Sequence, residues 1–297
     1  MLGFRRAQRN TVLPDPAEAT QMVADMAQEV VRDTAAIKRS LPDVAAEVME
    51  LCQHASSDAL RIEKSITRDP FLSAQIVSVS NSPMFAPRMP IVSVRDAIVR
   101  IGLSNVNDIV MMVVTSSTMF RIRGFDDHVT RVTSRFPATA LAARMIASAL
   151  RLPMEAAFTA GLLHDIGDLV LLDRCVKSGK IKPEMTQEPV LLGIILDAIQ
   201  VHHTKVGAAV CTVWKLPSST VEAAAHHHQY KLGGHHFSAN LVAAADAFAD
   251  AMGVGVPAKR LLDPAETVFT DLGLKGDQFA SALSQFEKLL PSVRSFR

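Results

Sequence analysis

The sequence predicts an all-α protein, and three observations carry that prediction. Apolar residues recur at helical rather than alternating spacing, helix start signals stand where those periods begin, and strand-favouring aromatics are scarce, with one Tyr and one Trp in 297 residues. Val44, Val48, Leu51 and Cys52 fall on one helical face, as do Leu72, Ile76 and Val79; Val206, Val210, Val213 and Trp214 repeat the pattern. Asp69-Pro70 places a capping carboxylate before a first-turn proline. Ser93 with Asp96, and Ser219 with Glu222, have the spacing of capping boxes, in which a side-chain oxygen takes an orphan helix N–H. Asn81-Ser82-Pro83 supplies turn-forming residues after one helix, and Gly102 suits a helix end that needs positive φ. Pro217 and Gly233-Gly234 are expected stops.

In chain order the sequence divides into four pieces. Residues 1–35 are a polar, alanine-rich leader containing one helix, 36–125 a first helical bundle, 126–254 a second bundle holding nearly all the histidines, and 255–297 a charged helical tail begun by Pro257 and Pro264. In the tail, Phe279, Leu283, Phe286, Leu289 and Leu290 recur near helical spacing, which calls for packing onto something. Two readings stay open: leader and tail cover the protein's own core, or they serve docking and a homodimer.

Composition narrows the function classes. With 48% hydrophobic residues the chain can bury a large core, and a net charge of +1 gives no electrostatic case for nucleic acid or an anionic membrane as partner. Cys52, Cys175 and Cys211 are widely spaced and form no CxxC pair, so buried, reduced thiols are expected rather than a disulfide framework or a thiolate zinc site. The basic start, MLGFRRAQRN, leads into no long apolar stretch, and the most apolar run, Ile109 to Phe120, contains Thr115, Ser116, Ser117 and Thr118 and is too short for a span. A soluble, cytoplasmic protein is expected.

Eight of the ten histidines lie between His164 and His236. The spots that matter are His164-Asp165, His202-His203, His226-His227-His228 and Asp246. Imidazole and carboxylate together suit Zn, Mn or Fe, and a bundle builds such a site from ligands projecting inward from different helices. Neighbours such as His164 and Asp165 reach one centre most easily at a helix end, where Gly161 and Gly167 let backbones approach closely. Asp246, in the alanine-rich LVAAADAFADAM, needs a buried partner, either a metal or a histidine. The competing reading is structural: the triple histidine caps a helix dipole, and His164, Asp165 and Asp246 form a hydrogen-bonded core network without metal. Walker, GxGxxG, GxSxG and HExxH motifs do not occur.

Several motifs in a fixed order then resemble one family. Leu41-Pro42, Ile66-Thr-Arg-Asp69-Pro70-Phe-Leu72, Asn81-Ser82, Ile91-Val-Ser93 and Ala97-Ile98-Val-Arg-Ile101-Gly102-Leu103 look like the opening of an HDOD domain. Gly161-Leu-Leu-His164-Asp165-Ile-Gly167, His203-Thr-Lys-Val-Gly207, Trp214-Lys-Leu-Pro217 and His227-His228 continue the likeness, which covers about residues 36 to 250. The resemblance implies two packed helical bundles, the second like that of HD and HD-GYP phosphohydrolases, and a role in bacterial signalling as an output or interaction module.

Departures from the HD pattern bear on chemistry. The first HD histidine aligns near Ala138, the lysine that often follows HDIG is Asp168, which swaps a phosphate-attracting charge for a repelling one, and an expected glutamate is Gln229; no Gly-Tyr-Pro segment follows the histidine pair. The resemblance therefore implies a degenerate centre with no catalytic residue assigned. Its candidate metal ligands are His164, Asp165, His203, His227, His228 and Asp246, with the inward-pointing member of His227 and His228 left open. A divalent Mn, Fe or Zn is the cofactor such a set could hold, and it suits one metal better than a two-metal clamp. The expected function is a non-catalytic regulatory module that binds signalling proteins and possesses a site open to ligand sensing. The alternatives are a metal-dependent phosphohydrolase acting on a nucleotide or cyclic dinucleotide, and a cyclic-dinucleotide sensor without turnover. Lys205 and Arg144 are the positive charges expected near the site; Asn81 and Ser82 are read as bundle scaffold, with a polar partner-binding edge as the alternative.

Overall fold

The computed structural model describes residues 13–53, 59–85, 87–117, 120–229, 237–255, 263, 266–274 and 276–294, and among them the regular structure is helical, with no strand. The helices are α1 (Pro16–Arg32), α2 (Thr34–Ser40), α3 (Asp43–Gln53), α4 (Ala59–Ile66), α5 (Pro70–Ser80), α6 (Val94–Ser117) and α7 (Asp126–Ala149). They continue as α8 (Met154–Leu163), α9 (Ile166–Lys177), a short 3₁₀ turn (Pro183–Gln187), α10 (Pro189–Val213), α11 (Ser218–His226), α12 (Phe237–Ala251), α13 (Thr267–Leu272) and α14 (Asp277–Arg294). Gly233-Gly234, Pro257, Pro264 and the basic first ten residues lie outside the described residues.

The local signals act largely as their chemistry requires. Asp69 caps α5 by accepting the amides of Phe71 and Leu72, with Pro70 at the first position. Ser93 Oγ accepts the Asp96 amide at 3.0 Å, and Asp96 reaches back to the Val92 amide. Gly102 adopts φ 85° and kinks α6. The Ser219–Glu222 box does not form: α11 begins at Ser218 after Pro217, and Glu222 instead accepts the Ser238 amide at 2.9 Å, tying α11 to the start of α12.

Asn81 is exposed, yet its side chain works as scaffold. Its Nδ2 donates to the carbonyls of Val77 and Ile91 at 2.9 and 2.7 Å, and its Oδ1 accepts the Ile91 amide at 2.8 Å, stapling α5 to the approach of α6. The Ser82 side chain beside it is buried. Replacing Asn81 by alanine is expected to cost about 1–2 kcal/mol of stability, read by urea denaturation, because the Ile91 peptide loses both partners.

Helices α3 to α6 pack on one another, α7 to α12 form a second group, and α6 joins the two by contacts with α7 and α8. At that joint Arg144 donates to Asn105 Oδ1 at 3.1 Å and lies over the Phe85 ring, so its charge is not at the histidine centre. The apolar face of α1 (Ala19, Val23, Met26, Ala27 and Val30) is buried, and α1 packs against α9 and α10. Trp214 Nε1 donates to the Ile37 carbonyl at 3.2 Å, pinning α2 to the end of α10.

Helix α14 lies on α7, and Phe279, Phe286 and Leu290 enter a core shared with Phe248 and Phe269. The apolar faces of leader and tail are thus covered by their own chain, which removes the sequence-level ground for assigning them to docking. Helix α6 also differs from expectation. Its segment Val94–Thr115 is long and apolar enough to cross a membrane by length and composition, but 56% of its most apolar window is buried against other helices. Cys52 is half-buried, and Cys175 and Cys211 are buried; all three are free thiols.

Candidate metal centre

Helix α8 ends at Leu163 and α9 starts at Ile166, so His164 and Asp165 occupy the break between them. Two glycines let this break sit deep. A Cβ on Gly161 would lie 2.8 Å from the Thr139 carbonyl of α7, and one on Gly167 only 2.0 Å from the His203 carbonyl of α10. Close backbone approach at both crossings brings His164-Asp165 against residues from α10 and α11.

Asp165 is the hub. Its Oδ2 lies 3.2 Å from His164 Nε2, and its Oδ1 lies 3.3 Å from His203 Nε2 and 3.1 Å from His227 Nε2. His203 Nε2 is also 3.3 Å from both His227 Nε2 and His228 Nε2. One donor atom from each of Asp165, His203, His227 and His228 falls within 4.8 Å of all the others. His227 is buried and points into the centre; the more exposed His228 delivers its Nε2 from the rim. The structure therefore uses both members of the pair.

The outer nitrogens define the chemistry of the inner ones. Nδ1 of His164, His203 and His227 faces the carbonyls of Gly161, Gln200 and Ala223 at 2.8, 2.6 and 3.0 Å. Carbonyls only accept, so each Nδ1 carries a hydrogen and, in the neutral ring, Nε2 presents a lone pair inward. With the rings neutral, the centre is a set of acceptors converging on an acceptor. His164 Nε2 and Asp165 Oδ1 are buried without a well-directed hydrogen bond among the described residues. Such a set calls for a cation, and three imidazoles with a carboxylate, His203 and His227 each oriented by a carbonyl, fit Zn, Fe or Mn.

Protons can balance only part of this demand. Burial disfavours the His164 imidazolium, but Asp165 and Asp246 outweigh it and push the ring up to about 10. Burial likewise opposes the Asp165 carboxylate, yet His164, His203 and His227 hold it well below the usual carboxylate range. His228 moves the other way, down to about 4, through burial and the neighbouring His227 and His203. Burial also lowers His227, so adding protons to all the facing rings is disfavoured.

Asp246 has an additional partner that the sequence reading did not anticipate. Its Oδ1 pairs with Arg135 of α7, accepts from Thr139 Oγ1 at 3.1 Å, and lies 3.6 Å from His164 Nε2. All six predicted site residues thus meet, but His164 and Asp246 stand outside the group of four converging donors, and Asp246 shares a guanidinium. Beside them is a second polar chain. Arg131 donates to His128 Nδ1 at 2.8 Å, which leaves His128 Nε2–H to donate to Asp168 Oδ1 at 2.7 Å; Gln200 Nε2 donates to Asp168 Oδ2 at 2.6 Å. A cleft of about 420 Å³ opens onto the centre, with Arg131, Gln200, Asp165, His228 and Asp246 in its wall.

Comparisons with known proteins bear on the family and the fold. The HDOD domain model matches residues 39–230. The chain belongs to the HDOD family. Among solved structures, an HDOD domain protein of unknown function from Geobacter sulfurreducens superposes with a TM-score of 0.61 at 18% identity, over 95% of this chain and 97% of its own. A candidate phosphohydrolase from Shewanella amazonensis SB2B gives 0.66 at 19% identity, covering 93% and 97%. A candidate signal transduction protein from Marinobacter aquaeolei VT8 gives 0.60 at 20%, covering 95% and 67%. At these identities the likeness is one of fold. An uncharacterized protein of Treponema pallidum is 22% identical over 63% of this chain, which spans only 37% of that relative's length.

Against the HD pattern, this HDOD chain differs in ways the side chains make explicit. Ala138 packs in the apolar core with Leu141 and Ala245, while its neighbours Arg135 and Thr139 are the α7 residues that reach the centre. Asp168 is fully buried and held by His128 and Gln200, so it does not stand in the cleft as a charge repelling phosphate. Positive charge at the site comes from Arg131 and Arg135, not from Arg144 or the exposed Lys205. The signal for them was readable: His128, Arg131 and Arg135 stand at helical spacing, on one face of the segment preceding Phe136.

Proposed function

We propose that this HDOD chain is a cytoplasmic regulatory module of bacterial signal transduction that holds one divalent metal ion at its Asp–His centre and acts by binding other proteins, without turnover. The observation carrying the metal is the convergence of one ligand atom each from Asp165, His203, His227 and His228, within 4.8 Å of one another, on a buried oxygen without a well-directed hydrogen bond among the described residues. Those four residues would hold the ion, which would neutralise Asp165 and cross-link the α8–α9 break to α10 and to the end of α11. The reading without turnover is supported by Arg135, which engages Asp246, and by Gln229, whose carboxamide cannot serve as a carboxylate ligand or base. The signalling role is supported by family membership; the partner is a signalling protein.

The experiment is elemental analysis of tag-free protein beside Asp165→Ala, with circular dichroism as the folding check. About one Mn, Fe or Zn per chain in the wild type, and loss of it in a folded Asp165→Ala, is the expected result. Metal-free, folded wild type that also fails to retain Mn, Fe or Zn after reconstitution would overturn the metal assignment and return the centre to a structural network.

The cleft favours a second reading, a metal-dependent phosphohydrolase acting on a nucleotide or cyclic dinucleotide, because Arg131 and the centre share its wall. There the ion would supply Lewis-acid activation, and Arg131 would bind a phosphate. Saturable phosphodiester hydrolysis by metal-loaded protein, lost in His164→Ala, establishes this reading in place of the first; absence of turnover across cyclic dinucleotides and aryl phosphodiesters supports the first.

A further inference from the structure

Arg135 is built into the centre from every side. Its guanidinium pairs with Asp246 and Asp250 of α12, and Nη1 also donates to the Val254 carbonyl at 3.3 Å. Only 12% of its side chain is exposed. Gly255, at φ +72°, closes over the stem: a Cβ there would lie 2.5 Å from Arg135 Cγ and 2.7 Å from Cδ. The chain thus provides a shaped berth for a cation beside Asp246. A separate cavity of about 230 Å³, lined by His227, His228, Asp246, Asp250 and Glu266, reaches the same acids from outside.

Charge accounts for what the berth does. Asp165, Asp246 and Asp250 carry three negative charges around the centre, and Arg135 supplies one positive charge. With the imidazoles neutral, a single divalent ion among Asp165, His203, His227 and His228 balances these four groups. A second divalent ion at Asp246 would face a guanidinium already paired there, at a distance where like charges repel strongly in a partly buried site.

We propose that Arg135 is the resident cation of a second cation position formed by Asp246, Asp250 and His164, so that the chain binds one divalent metal ion and acquires a second when Arg135 is neutralised. The inference rests on the reading that Asp165 and the histidines hold a metal. It goes beyond that reading by assigning the stoichiometry to one residue, and by making Asp246 a partner of Arg135 rather than a ligand of the first ion.

The test is Mn²⁺ titration by calorimetry, with elemental analysis of dialysed protein, on wild type, Arg135→Met, Arg135→Lys and Asp246→Asn. The expected stoichiometries are one, two, one and one, with Asp246→Asn changing the affinity of the first ion by less than about tenfold; ligand loss is expected to cost more than the ten- to hundredfold seen for outer-shell partners. Arg135→Met that folds and binds one ion overturns the proposal while leaving the metal reading intact. Wild type that binds two ions does the same. If Arg135→Met does not fold, Asp246→Asn decides: retention of one ion supports the proposal, and loss of the ion makes Asp246 a ligand and overturns it. Wild type that binds none removes the metal reading itself, and the inference with it.

Discussion

Gly167→Ala is expected to destabilise the protein by about 4 kcal/mol or more and to abolish metal retention, whereas Gly207→Ala, at the same helix crossing, is expected to be tolerated. A Cβ on Gly167 would meet the His203 carbonyl oxygen at 2.0 Å, the Gly207 nitrogen at 2.4 Å and the Gly207 Cα at 2.8 Å. All three are backbone atoms of α10, so no side-chain rotation relieves the overlap, and α9 and α10 must separate. That separation draws His164-Asp165 away from His203, whose Nε2 now lies 3.3 Å from Asp165 Oδ1. Seen from the other helix, the crossing is permissive. A Cβ on Gly207 would find its nearest neighbour, the Gly167 amide nitrogen, at 3.5 Å, an ordinary contact. Inside a helix, alanine in place of glycine can even return up to about 1 kcal/mol of propensity. Thermal unfolding of the two variants, with metal content after dialysis, checks the pair. Equal destabilisation by both would show that the crossing is governed by crowding in general rather than by the approach of α9 onto α10 at Gly167.

The same glycine shows how far the centre was legible in the sequence. GLLHDIGD announces a helix break with close approach, and His164-Asp165 does occupy the break. The residues from other helices that meet there were legible as types, since imidazoles and a carboxylate gathered in one segment of a helical chain suit either a metal or a hydrogen-bonded core network. Their grouping was not. Whether His227 or His228 turns inward depends on how α11 ends, and the C-cap geometry at His227 directs both rings to His203. Asp246 was correctly expected to need a buried partner, but Arg135 lies more than a hundred residues earlier, on another helix. Only the packing of α7 against α12 reveals that pairing. Asp168 illustrates the opposite error: judged by its charge alone it repels phosphate, yet burial between His128 and Gln200 removes it from the cleft. The tail was legible as an amphipathic helix and the leader only as a polar, alanine-rich one, but periodicity identifies a face that must be covered without identifying what covers it.

Asp108→Asn is expected to stabilise the protein at pH 8 and to remove a pH dependence that the wild type shows between about pH 4 and 7. Asp108 stands on α6 where it meets α8, at the joint between the two helical groups, and is 2% exposed. Its Oδ1 accepts from Thr159 Oγ1 at 2.7 Å, while its Oδ2 is buried with no hydrogen-bond partner among the described residues. Burial pushes the carboxyl up to about 7 from 3.8, against the lesser opposing effects of Thr159 and Arg144. The sign follows from proton counts. Below about pH 4 the group is protonated in both folded and unfolded chains and adds no slope. Between about 4 and 7 the unfolded chain releases the proton and the folded chain keeps it, so stability falls as pH rises and levels off above 7. At about 1.4 kcal/mol per unit the loss is on the order of 2–4 kcal/mol, and asparagine avoids it by being neutral at every pH while still accepting from Thr159 through its amide oxygen. Urea denaturation of wild type and variant at pH 5, 6, 7 and 8 measures the difference directly. Curves whose separation grows with pH and stops growing near pH 7 confirm the buried acid at the joint; a constant separation would mean that Asp108 is ionised in the folded chain throughout, with Arg144 close enough to compensate it.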